Sequence, residues 1–261
     1  MASFDLILTV GKAYRKTWRE RAYLFRMALI PLLVKYICFA VAIFYIEQDN
    51  IIRKTIIMLP AYFVEGWFLA HWVRTVAINH RWPFRPSGDD AKDEMELRDR
   101  GRGILGGAIT FTLINFVMAG YFTFFQSYIP VDMDPKHPDP QAALAGAVMM
   151  VTTVLLFRFI WSYIPMAVNF PFSEFVRKLK RLSTTFNMMG VWLVCFIPSV
   201  LLLQLSGNFI KVVYVDGGVL TSFMDGIIIF LQVFLDMVKN LLCTAGMTYA
   251  FIEIFKWRRE K

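Results

Sequence analysis

Positive charge in this chain falls almost wholly on one side of a series of long apolar stretches. Taking alternate loops, one set holds Lys12, Arg15, Lys16, Arg19, Arg21 and Arg26, then Arg81, Arg85, Lys92, Arg98, Arg100 and Arg102. It continues with Arg177, Lys178, Lys180 and Arg181 and ends with Lys256, Arg258, Arg259 and Lys261. The intervening loops hold only Arg53, Lys54, Lys136 and Lys211. Lys and Arg beside spanning helices are retained in the cytoplasm, so the asymmetry predicts an integral membrane protein with both termini cytoplasmic. A bacterial inner membrane is the expected location.

Composition agrees. Hydrophobic residues make up 57% of the 261, aromatic residues 16%, and mean hydropathy is +0.51. This exceeds a soluble mixture and suits lipid-facing helices with aromatic belts. The net charge of +8 lies beside apolar spans, so anionic lipid headgroups account for it and no nucleic-acid partner is expected. Cys38, Cys195 and Cys243 are far apart, odd in number and without metal-ligand spacing. They read as buried free thiols, and no metal or cofactor is expected. No basic residue precedes the short apolar run in Met1 to Val10, so the first span is expected to be an uncleaved anchor.

A hydrocarbon core about 30 Å thick takes about 20 helical residues to cross. By that measure six spans are predicted, at 27–46, 56–78, 104–128, 143–166, 188–206 and 221–250. The last is longer than one crossing needs and is free to tilt, to break near Asp236 or to begin as an interfacial piece. The stretches are continuously apolar, not alternating, which argues against a closed β-barrel. The predicted fold is one all-α membrane domain over 1–261. It has an interfacial helix at 1–22, three spans in 27–128 around a charged cytoplasmic loop at 79–103, and three more in 143–261 with a second interfacial helix at 172–186.

The interfacial helices are read from periodicity. Phe4, Ile7, Gly11, Tyr14 and Trp18 recur at steps of 3, 4, 3 and 4, as do Phe172, Phe175, Leu179, Leu182 and Phe186. Each set shares one helix face, with Lys12 and Arg15, or Lys178 and Arg181, among the remaining positions. Such helices rest in the cytoplasmic headgroup layer, apolar side down. Packing on a soluble partner is the alternative for the first. Phe4 and Phe172 lie 168 positions apart, as do Trp18 and Phe186, while Ile30-Pro31 and Ile197-Pro198 lie 167 apart. A parallel repeat of a basic helix leading into a proline-kinked span is one reading, coincidence the other.

Gly101-Arg102-Gly103-Ile104-Leu105-Gly106 matches the G-x-G-x-x-G dinucleotide pattern, but it follows a charged loop and meets no acid before Asp132. The nucleotide reading fails. Gly103 and Gly107 instead form a G-x-x-x-G pair that lets helix backbones approach in lipid. The loop from Ser87 to Arg102 carries six acids among its bases and is expected to be a solvated connector or a short helix with pairs such as Glu94–Arg98. Pro130 to Pro140 reads as an extended, exposed turn. No catalytic constellation is present, and His71, His80 and His137 lie on different sides or at different depths. A lipid-modifying enzyme would have only Arg81, His80 and Asp89 to start from.

What remains are ionisable residues within or near spans: Lys35, Glu65, His71, Arg74, Arg158, Asp225, Asp236 and Lys239. A charge at the bilayer centre costs roughly 2.5–3.5 kcal/mol and is paired or functional by default. Arg74 lies near the cytoplasmic edge, where its side chain is expected to reach headgroups. Lys35 and Arg158 lie about two turns in. Glu65 sits near the middle of the second span and must be neutral or paired. Antiparallel packing brings Lys35 nearest His71 in depth, with Glu65 farther out, so a water-linked Lys35–Glu65–His71 group is conceivable. Asp236 and Lys239 are expected to pair at i, i+3.

The stretch Phe172 to Phe186 before Gly190-Val191-Trp192-Leu193, and Phe4 to Trp18 before Met27 to Pro31, resemble uncharacterised bacterial multi-pass inner-membrane proteins related to the glycerophosphodiester phosphodiesterase membrane domain. The resemblance covers about a third of the chain. It implies basic amphipathic helices preceding spans, and no catalytic domain accompanies them here. The expected function is non-enzymatic: an accessory, assembly or scaffold subunit, joined to other membrane subunits or to copies of itself. The alternative is a small-solute or proton-coupled transporter or channel, with Glu65, Lys35, His71 and Arg158 along its path.

Overall fold

The computed structural model describes residues 5–46, 51–126, 140–179, 182–215 and 222–255. Every regular element among them is helical: α1 (Leu6–Arg19), α2 (Arg21–Phe44), α3 (Ile51–Ile78), α4 (Asp90–Gln126), α5 (Pro140–Ile160), α6 (Tyr163–Ala167), α7 (Phe172–Lys178), α8 (Leu182–Val215) and α9 (Ser222–Phe255). Six stretches are long and apolar enough to cross a membrane: Arg21–Phe44, Ile51–Ile78, Asp90–Phe125, Ala143–Ala167, Ser183–Leu202 and Gly226–Phe255. The all-α fold with six spans stands. Arg181, residues 130–139 of the predicted turn, and the side chains of Lys211 and Asp225 lie outside what is described.

Several boundaries differ from expectation. The charged stretch 90–103 is not a connector but the first turns of α4. It is launched by Asp93, whose carboxylate accepts from the Ser87 backbone N–H at 2.9 Å and its hydroxyl at 2.8 Å, and acids in a first turn complement the helix dipole. The fourth span breaks after Ile160, and the chain resumes as α6, where Pro165 has no N–H to continue a ladder. α9 runs unbroken through Asp236 for 34 residues, roughly 51 Å at the helical rise. It therefore overhangs a single crossing.

Both amphipathic stretches also pack on the rest of the bundle. Asp5 caps α1 by accepting from Leu8 N at 2.9 Å. Val10 and Ala13 of α1 are then buried. At the far end of α9, Glu253 accepts from Thr9 Oγ1 at 2.9 Å and Lys12 Nζ at 2.8 Å. Ile7 and Trp18 stay exposed, so α1 uses one face for protein and another for its surroundings. The second stretch is two elements, because α7 stops at Lys178 and Phe186 belongs to α8. Phe175 is buried and stacks on Phe255 at 5.4 Å, while Lys178 Nζ donates to Phe255 O at 3.3 Å. In both places a short basic helix precedes a long one containing a proline, Pro31 in α2 and Pro198 in α8, but Trp18 and Phe186 do not correspond, since Trp18 lies in α1 and Phe186 in α8.

α3 is the central helix, touching α2, α4, α6 and α9. Small residues permit this. A Cβ on Gly66 would come within 2.9 Å of Ala108 O, one on Gly107 within 2.9 Å of Ala70 Cβ, and one on Gly103 would collide with Ala167 O. The expected glycine contact thus exists, and it joins α4 to both α3 and α6. Within α3's apolar window 56% of the residues are buried, against 6% for Ala143–Ala167. The protein is dense around α3 and open around α5.

Candidate functional site

Three helices each contribute ionisable or amide side chains to one cluster at mid-span. Lys35 of α2 is 2.6 Å from Glu65 Oε2 of α3 and 2.6 Å from Asp236 Oδ2 of α9. Lys239 pairs with the other oxygen of Asp236, one helical turn along. Asn240 completes the network, donating from Nδ2 to Glu65 Oε1 at 2.7 Å. Two cations and two carboxylates sum to zero, so each buried charge has an opposite neighbour, the condition that makes such groups tolerable in lipid.

The quartet is graded in exposure. The Lys35 and Glu65 side chains are 5% and 2% exposed, whereas Asp236 and Lys239 retain 34% and 28%. All four line a cavity of about 680 Å³, walled by α2, α3, α4, α5, α6, α8 and α9. Polar groups recur on this wall: Tyr62, Asn115, Thr153, Gln232 and Asn240. Tyr163 shares a hydrogen bond of 2.7 Å with Thr244. Trp161 also lines the cavity, is 7% exposed, and its indole N–H has no hydrogen-bond partner among the described residues. A buried unsatisfied donor costs about 1–3 kcal/mol unless a ligand or water takes it. Chemically, the wall offers both signs of charge, neutral donors and aromatic faces.

The remaining candidates lie elsewhere. His71 does not join Lys35 and Glu65. Its ring packs edge-on against Trp67 at 4.6 Å and Trp82 at 5.6 Å. The depth estimate erred because α2 and α3 meet with Lys35 level with Glu65. Arg158 does not line the cavity. Its Nη1 donates to Leu179 O and its Nε to Leu155 O, both at 3.1 Å, satisfying a carbonyl at the end of α7. Arg74 does not reach outward to headgroups either. It is 1% exposed, donates to Ala167 O at 2.9 Å and pairs with Asp99 at 2.7 Å. Asn169, at φ 56°, closes this second cluster by donating to Asp99 Oδ1 at 2.8 Å.

Asn240 and Asn169 were not anticipated from the sequence. For Asn240 a signal exists: Gln232, Asp236, Lys239, Asn240 and Thr244 form a polar stripe at helical spacing through an apolar stretch. Asn169 has no such signal, because its role depends on the break before α6.

Compared with known proteins, the chain matches no family model, no curated sequence and no solved structure.

Proposed function

We propose that this multi-pass membrane protein binds a small polar solute in its mid-span cavity and conducts or carries it across a bacterial inner membrane, with both termini cytoplasmic. One observation carries the reading. All four charged side chains line the cavity, and Asp236 and Lys239 are about a third exposed there, while Lys35 and Glu65 are almost fully buried. An ion-pair group that served stability alone would be expected to bury all of its members. Adjacent charges of opposite sign suit a zwitterionic or strongly dipolar solute.

The test is hydration, then flux. With the native cysteines replaced, Gln232→Cys reacts with a charged, membrane-impermeant thiol reagent if water fills the cavity. A residue facing lipid, such as Leu201→Cys, stays unreacted. In swelling assays on proteoliposomes, Asp236→Asn abolishes protein-dependent solute entry while the protein still accumulates in membranes. An unreactive Gln232→Cys, or flux unchanged in Asp236→Asn, overturns the proposal.

A second reading is favoured by the bareness of α5. An accessory or assembly subunit would use Ala143–Ala167, of whose apolar window 6% is buried, as its seat for another membrane subunit or a second copy. Pull-downs in mild detergent that repeatedly return the bare monomer count against it.

A further inference from the structure

A second cavity, of about 790 Å³, lies on the opposite side of α9 from the charged one, between α1, α2 and α9. Its floor is apolar: Leu24, Ala28 and Leu32 of α2 face Phe234, Met237 and Leu241 of α9. Its mouth is basic and aromatic, with Arg15, Trp18 and Arg21 at the junction of α1 and α2. From Arg21 to Leu32 the groove descends roughly 16 Å at the helical rise. That is about half of a 30 Å hydrocarbon core, the depth of one acyl chain.

The mouth carries uncompensated positive charge. Among the described residues Arg15 enters no ion pair and is exposed. Arg21 is exposed, lies 4.9 Å over the Trp18 ring and spends one N–H on Trp18 O at 3.1 Å. The neighbouring acid is withdrawn: Glu20 is 6% exposed and held by Arg81 at 2.6 Å and Lys16 at 3.4 Å. Thr17 Oγ1, which borders the groove, is buried without a hydrogen-bond partner among the described residues. Guanidinium groups and a hydroxyl over an apolar slot of one-leaflet depth match a phosphate ester above a hydrocarbon tail.

We infer that this groove is a site for one anionic phospholipid, its phosphate held by Arg15 and Arg21 and one acyl chain lying between α2 and α9. The bound lipid braces the same helix pair that Lys35 and Asp236 tie from within. Occupancy therefore raises the unfolding temperature, since a ligand bound only to the folded state stabilises it by mass action.

The test uses the full chain, delipidated in detergent and titrated with phosphatidylglycerol or with phosphatidylcholine of the same acyl chains. Native mass spectrometry counts bound lipid and a thermal shift assay reads stabilisation. One phosphatidylglycerol is expected to bind in preference to phosphatidylcholine and to raise the melting temperature. The double variant Arg15→Gln/Arg21→Gln changes only exposed side chains and is expected to weaken that preference roughly thirtyfold. Ala28→Trp fills the groove and is expected to prevent binding with both arginines intact. Arg98→Gln/Arg102→Gln, equally exposed on α4, is expected to leave the preference unchanged. Glycerol phosphate without acyl chains is expected not to compete. Equal affinity for the two lipids, equal losses in the two arginine pairs, or competition by glycerol phosphate would each overturn the assignment.

Discussion

Lys35 and Arg74 are both buried cations on the same bundle, yet they are held in different currencies. Lys35, at mid-span, has two full carboxylates at 2.6 Å. Arg74, near the end of α3, shares itself between one carboxylate and the backbone carbonyl of Ala167. The contrast follows from depth. Where the helix ladder is broken, carbonyls are free to accept, and a guanidinium with five donors can gather them. At mid-span the ladders are intact, so only side chains can compensate an ammonium, and they must be brought from other helices. The Arg74 cluster fastens α3, α4 and α6 together. The Lys35 cluster leaves two of its members partly exposed in a cavity.

Breaking the comparison at its stronger end gives the largest effect. Lys35→Met leaves Glu65 and Asp236 without their shared cation and is expected to cost about 3–5 kcal/mol, read as a lower melting temperature in detergent and poor accumulation in membranes. Wild-type stability in that variant would mean the pair is not sealed. Arg74→Met removes one charged hydrogen bond and orphans Ala167 O, with an expected loss of about 2–3 kcal/mol. Arg74→Lys should recover only part of it, because one ammonium cannot span both acceptors. Gly103→Ala sharpens the geometry, since the added methyl meets Ala167 O and Arg74 together. Overpacking of about 2 kcal/mol is expected, and an unchanged melting curve would refute the close approach. Arg158→Gln is the mildest, at about 1 kcal/mol or less, because that side chain is partly exposed and bonded only to carbonyls.

Much of this was readable in advance, for reasons that particular residues make plain. The six spans follow from unbroken apolar length, and Glu65 was conspicuous because a carboxylate amid Phe63, Val64 and Trp67 must find a partner. Gly103 and Gly107 announced a close contact through their spacing. What failed was register. One-dimensional depth places His71 opposite Lys35, but Lys35 lies level with Glu65 of α3, where Asp236 of α9 also meets it. Position alone predicts that Arg74 reaches headgroups, because it cannot reveal that the end of α6 meets it. Phe175 was read as a lipid contact because periodicity identifies an apolar face without saying what covers it.

The pairing of Asp236 with Lys239 on one helix has a consequence for how the protein is made. α2 and α3 precede α9 in the chain, and Lys35 can neutralise Glu65 as soon as those two helices meet. α9 follows them in the chain and carries two opposite charges one turn apart. It travels as its own counterion, entering the bilayer without awaiting a partner and exchanging part of that internal neutrality for Lys35 on arrival. A late-joining segment that were solely acidic at this depth would have to cross hydrocarbon bare; this one brings its escort with it.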